Sequence, residues 1–380
     1  MKFSITQKTL NDALAAVSQA VATGKDRAPY DHILAKTDGK CLLLTGFDGD
    51  VALKMAIIPA SLQADGACLL PAKTWGDLVS KLDGDIAFTL ADGTATMTTA
   101  HGQYNLPTLP VEDYPTLPDV AEDGVEVSLT VAALLTGING ALIAVSHDQS
   151  KQLLQGVHLT SWGDDLEFVA TDGHRLSVRL AEPSHLAAGL DCTVPGASLG
   201  LLKSVLKGVA EPELTNVTVR ADDLQVRFQI EGVATLIVRL LDGQYPAHRR
   251  LVPATFARSF VVDKSKMVDA LNRVDLFAQL GTRAHTVRIE GDSSSIAVSA
   301  EGGEIGRGHE VIDCQVSGEP MTWHVNAKYL VDGMKSLGGD RVEFLMNGPI
   351  TPVVLREPSN KTMDTEEAFY LLMPIQNLRE

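Results

Sequence analysis

The chain has 380 residues, 45% of them hydrophobic, enough for a core in each of several domains. Its formal net charge of −16 by itself argues against nucleic acid as a partner. The amino terminus turns polar within a few residues, unlike a secretory leader, and no apolar run approaches the ~18 residues of a membrane span. The cysteines at 41, 68, 192 and 314 have no metal-ligand spacing and read as small core residues in a reducing cytoplasm.

Taken in order, Phe3–Val17 predicts a strand and then a helix capped by Thr6, with Leu10, Leu14 and Val17 on one face. Asp38-Gly39 and Asp92-Gly93 mark hairpin turns, and Leu42–Gly49 is a strand ending in Asp-Gly. Pro71–Leu82 predicts a second helix, with Pro71 in its first turn and Trp75, Leu78, Val79 and Leu82 at helical spacing. Pro107–Pro118, PTLPVEDYPTLP, predicts an extended connector, because each proline fixes its own φ and restricts the residue before it.

The same plan then recurs. Val127–Ala141 repeats the capped helix with Thr130, Leu134, Ile138 and Ala141; Phe168–Gly173 repeats the strand and Asp-Gly turn; Pro195–Leu206 repeats the second helix. Asp242–Pro253, DGQYPAHRRLVP, takes the connector's place and shares its Tyr-Pro step. A third round runs through Phe260–Val274 with Asp263 as cap, Ile296–Gly303, and Asn326–Leu337 with Asn326 as cap. It ends on the apolar strand and short tail of Phe369–Glu380. The offset is roughly 125–130 residues, a domain-sized repeat rather than a solenoid period. The expected fold is α+β, three repeated domains of two helices on a sheet, spanning 1–124, 125–253 and 254–380.

Catalytic signals are weak. The histidines form no i, i+4 pair and flank no carboxylate cluster, so no metal or cofactor is expected. GGEIGRG at Gly302–Gly308 lacks the Lys-Ser/Thr of a phosphate loop, and no GxSxG elbow occurs. Asp172 and His174 in TDGHRL suggest acid–base chemistry only in the absence of the simpler reading, a tight Asp-Gly turn. The six predicted helices, however, hold ten basic residues against five acidic ones in an otherwise acidic chain. That distribution fits helices facing a polyanion, although solvated helix faces also carry lysine.

With PAK at Pro71–Lys73, VATDGHRL at Val169–Leu176, LLDGQYPAHRR at Leu240–Arg250 and the Met373-Pro374 tail, the whole chain resembles the bacterial DNA polymerase III β subunit family of DNA sliding clamps. The resemblance implies a head-to-tail homodimer closed into a ring, helices inside, around double-stranded DNA held without regard to sequence. It implies a non-catalytic processivity subunit whose partners are the replicative polymerase's catalytic subunit, the clamp loader and other proteins carrying a clamp-binding peptide. By motif, the peptide cleft falls on Leu154, Thr171, Gly173, His174, Arg175, Leu176, Pro246, Arg250, Leu251, Leu371, Met373, Pro374 and Ile375. DNA contacts fall on Lys25, Arg27, Lys73, Gln149 and Lys151, while Lys203 and Lys207 are expected to compensate for Gly196-Ala197, where the family often has basic residues. Tyr104 and Leu106 are expected to meet Leu276 and Phe277 of a second subunit, Phe277 as the buried anchor. The tail departs from the family at Ile375-Gln376.

Overall fold

The computed structural model describes residues 1–24, 27–187, 189–280, 285–359 and 368–376. Its six helices are α1 (Gln7–Val17), α2 (Ala72–Val79), α3 (Val131–Leu142), α4 (Gly196–Leu206), α5 (Lys264–Leu280) and α6 (Ala327–Ser336). All six lie where the repeat places them. Their starts obey capping chemistry: the side-chain oxygens of Thr6, Thr130, Asp263 and Asn326 accept the backbone N–H three residues on, at 3.3, 3.1, 2.9 and 3.1 Å. Pro71 and Pro195 stand one residue earlier than expected, at the cap position with extended ψ, and offer no side-chain bond. Helix α5 runs past the expected end at Val274, because Ala278 continues the buried face of Leu271 and Val274.

The backbone packs as two compact units, residues 1–135 with 182–241, and residues 136–181 with 242–380, so the middle repeat is shared between them. The cause lies in the strand pairing within each unit. In the first, Val51–Ile57 of repeat one pairs with Ala234–Arg239 of repeat two, joining both repeats' strands in one nine-stranded antiparallel sheet. A five-stranded sheet ordered Ser61–Ala64, Lys2–Thr6, Asp85–Ala91, Thr94–Thr98, Gln103–Pro107 completes that unit. Its core centres on Phe3, Leu10, Leu14, Trp75 and Phe88, with Phe3 and Phe88 stacked at 4.7 Å.

The second unit repeats the device. Arg175–Ala181 of repeat two pairs with Ala368–Leu372 of repeat three, in a row of strands running from Gly156–Trp162 and Asp165–Thr171 through to Val353–Arg356, Arg341–Met346 and Arg258–Asp263. A four-stranded sheet, Arg307–Asp313, Ser295–Glu301, Thr286–Gly291 and Met321–Asn326, lies beside α5. Close helix–sheet approach depends on small residues: a Cβ at Gly140 of α3 would stand 2.5 Å from the Arg179 side chain, and one at Gly333 of α6 would enter the Tyr370 ring.

Both Asp-Gly hairpins form as expected; Asp92 and Gly93 take φ of 48° and 70° between their paired strands. The connectors depart from the expectation of extended chain. Each contains a short 3-10 turn, Val111–Asp113 and His248–Leu251, which proline spacing alone does not announce. Cys68 and Cys192 are buried, and burial pushes both thiols up to about 12, while Cys41 and Cys314 are half-buried.

Candidate peptide groove

The turn after strand Asp165–Thr171 is built by Asp172. One carboxylate oxygen accepts the N–H groups of His174 and Arg175 at 2.9 and 3.0 Å, and Gly173 supplies the left-handed φ of 93° that the turn needs. The other oxygen accepts the Arg175 Nε–H at 3.0 Å. Arg175 itself is only 7% exposed; it donates to Asp332 of α6 at 3.1 Å and lies 4.0 Å over the Tyr329 ring. Thr171 Oγ1 accepts the Gly173 N–H and donates to the Arg175 carbonyl, closing the turn. With Asp172 so committed and His174 exposed, the turn is a scaffold and not an acid–base pair.

The carboxyl-terminal tail is fastened to this scaffold. The Met373 N–H donates to the His174 carbonyl at 2.9 Å and the Ile375 N–H to the His324 carbonyl at 2.7 Å. Beneath lies an apolar cluster of Val169, Leu176, Val178, Tyr245, Leu345, Val354, Phe369 and Leu371, with Leu153, Leu154, Val252 and Phe256 packed against it. Above it, Met373 remains 38% and Leu251 54% exposed. An apolar floor with adaptable apolar rims, plus polar groups at Arg250 and His174, suits an extended peptide with hydrophobic anchors.

Every cleft residue named from sequence therefore lies in one unit. Leu154, Leu176 and Leu371 belong to the floor; Thr171 and Gly173 shape the turn; Pro246, Arg250, Leu251, His174 and Met373 are exposed; Pro374 is buried and Ile375 half-buried. Arg175 is buried, its guanidinium paired with Asp172 and Asp332, and braces the turn from below. Tyr245, Val354 and Phe369 were missed; their strand alternation and the Tyr-Pro step were the available signals.

The same frame exists in the other unit with different chemistry. Asp48 accepts the N–H groups of Asp50 and Val51 at 2.9 and 2.8 Å, and Arg239 N–H donates to the Asp50 carbonyl at 2.9 Å, matching Met373 to His174. Strand register aligns Ala52 with Leu176, Lys54 with Val178, Thr235 with Phe369 and Arg227 with Val354. Tyr114 and Leu117 of the connector cover Phe47, Ala52 and Ile237 there. The frame is thus apolar and open-rimmed in one unit, polar and self-covered in the other.

The remaining residues named from sequence are scattered more widely. Arg27, Lys73, Gln149 and Lys207 are exposed, Lys203 is half-buried, and Lys25 lies outside the described residues. Lys151 Nζ donates to the Asp172 carbonyl at 3.1 Å, tying it to the groove's turn. Lys203 and Lys207 sit in the last turn of α4 and at its C-cap, where the helix dipole favours cations. Tyr104, on an edge strand, and Leu276, at 59%, are exposed; Leu106 is buried in its own unit. Phe277, expected as the anchor for a second subunit, is half-buried against its own core beside Gly306 and Gly308.

Comparison with known proteins places this architecture among bacterial replication clamps. The β subunit of DNA polymerase from Streptococcus pyogenes superposes with a TM-score of 0.87 at 26% identity, covering 99% of this chain and 100% of that one. A sliding clamp from Pseudomonas aeruginosa, bound to griselimycin, gives a TM-score of 0.89 at 22% identity over 99% of this chain and 100% of the other. The beta sliding clamp of Synechococcus elongatus is 32% identical over 382 residues, 99% of each chain. Family models for the N-terminal, central and C-terminal domains of the DNA polymerase III beta subunit match residues 1–118, 128–247 and 249–375. The chain belongs to the DNA polymerase III beta subunit family.

Proposed function

We propose that the chain is the sliding clamp of its replicative polymerase, a non-catalytic processivity subunit. Two copies would join head to tail as a ring of six domains, 1–124, 125–253 and 254–380 from each, with double-stranded DNA through the centre. The matched domain ranges support that division. The observation carrying the partner side is the open-rimmed apolar groove below Met373 and Leu251, which fits a short hydrophobic peptide. Its users would be the polymerase catalytic subunit, the clamp loader and other proteins bearing such a peptide.

On the DNA side, the basic surplus on the helices supports sequence-independent phosphate attraction, with Arg27, Lys73, Gln149, Lys203 and Lys207 as contacts. The acidic remainder of the chain would repel other DNA. The expected site of action is the cytoplasm; no helix among the described residues is long and apolar enough to cross a membrane. The decisive experiment loads the protein onto nicked circular DNA with its clamp loader and then linearises the DNA. A clamp stays on the circle and runs off the ends after cutting; equal loss before and after cutting overturns the reading.

A further inference from the structure

The exposed wall of the groove, Pro246, Arg250 and Leu251, belongs to a connector with little regular structure of its own. Something must hold it. Two neighbouring strands, Gly156–Trp162 and Asp165–Thr171, present His158, Trp162, Glu167 and Val169 on one face, since side chains alternate along a strand and His158 pairs with Val169 and Thr160 with Glu167. The connector crosses that face. Tyr245 stacks on His158, ring centroids 4.6 Å apart and planes within 2°. Arg249 lays its guanidinium 3.7 Å over the Trp162 ring and pairs with Glu167. His248 Nε2 lies 3.0 Å from the other Glu167 oxygen.

Glu167 is fully buried, and a carboxylate is kept there only with compensating partners. Both of its partners come from the 3-10 turn His248–Leu251, whose last two residues are the exposed Arg250 and Leu251. We infer that Trp162, Glu167 and Arg249 are positioning residues for peptide binding: they lock the turn so that Pro246, Arg250 and Leu251 stand ready as the groove's wall. This rests on the groove being the peptide site. Pre-ordering that wall spares the bound complex the entropy of fixing it. Lysine cannot replace Arg249, because the seat uses a planar cation stacked on one side and hydrogen-bonded on its edge.

The test measures binding of the polymerase catalytic subunit to immobilised full-length clamp, alongside thermal stability and solution mass. Leu251→Asp and Met373→Asp report on the groove itself. Trp162→Leu, on a 40% exposed ring that is not one of the groove's own residues, and Arg249→Leu report on the seat. The expected result is about tenfold weaker binding for both seat variants. Trp162→Phe should restore binding, Arg249→Lys should not, and amide exchange across 248–252 should quicken in Trp162→Leu with the mass unchanged. Should Leu251→Asp abolish binding while Trp162→Leu and Arg249→Leu leave it at the wild-type level, the positioning role is overturned and the groove stands. Wild-type binding retained by Leu251→Asp and Met373→Asp overturns the groove and the inference together. If Arg249→Leu fails to fold, Trp162→Leu with its phenylalanine rescue decides alone.

Discussion

Glu167 shows how one buried charge ties stability to pH. Burial opposes its ionisation, yet His248 and Arg249 outweigh that cost and hold the carboxyl below the usual glutamate range. A lowered folded value means that the pair stabilises the fold above the ordinary glutamate pKa and loses that contribution as pH falls through the folded value. Acid unfolding followed by circular dichroism should therefore steepen as pH falls below the ordinary glutamate range, and Glu167→Gln should flatten the pH dependence in that acid window. Replacement by alanine at neutral pH should cost about 3–5 kcal/mol, because Arg249 is left without its buried partner. Gly333 tests packing at the same scale. A methyl group there meets the Tyr370 ring, so Gly333→Ala should destabilise by about 1–3 kcal/mol despite alanine's better helix propensity, measured by denaturant melts.

At the scale of elements, the two Asp-Gly turns are a matched pair. Asp48 and Asp172 bind the backbone identically, but only the second also grips an arginine that reaches α6. Asp172→Ala should cost about 1–3 kcal/mol by leaving amides and Arg175 short of an acceptor, and should weaken polymerase binding. Asp48→Ala should leave polymerase binding unchanged, because Tyr114 and Leu117 already cover its frame. The TDGHRL stretch, which by itself hints at a catalytic Asp–His pair, is a structural corner whose histidine contributes a carbonyl to the tail.

For the whole molecule, the expectation is a ring. Light scattering should give twice the chain mass of 40.6 kDa. Leu276, exposed on α5, is the cleaner interface probe than Phe277, since Phe277→Asp would also disturb the core it packs against. Leu276→Asp should yield folded monomers that no longer remain on circular DNA. Retention of wild type on circles should survive salt that screens phosphate contacts, while Lys203→Glu with Lys207→Glu should slow loading at low salt. Salt-sensitive retention would mean affinity, not topology, holds the protein on DNA.

The sequence by itself determined the threefold repeat, the six helices and four of their caps, the hairpins, and the family, because these are written in short-range patterns: apolar spacing, Asp-Gly pairs, a cap three residues before its amide. Motifs such as VATDGHRL and the Tyr-Pro connector also picked out residues that the fold gathers in one unit. Tertiary structure decided what those residues do. Arg175 and Arg250 look alike along the chain; only the approach of Asp332 and Tyr329 buries the first, and only the Trp162–Glu167 seat turns the second outward. Only strand pairing between repeats made two compact units from three copies of one plan, and only register showed that the same frame is apolar beside Leu176 and polar beside Ala52. Burial and charge pairing depend on residues distant in sequence, and no local pattern encodes which of them will meet.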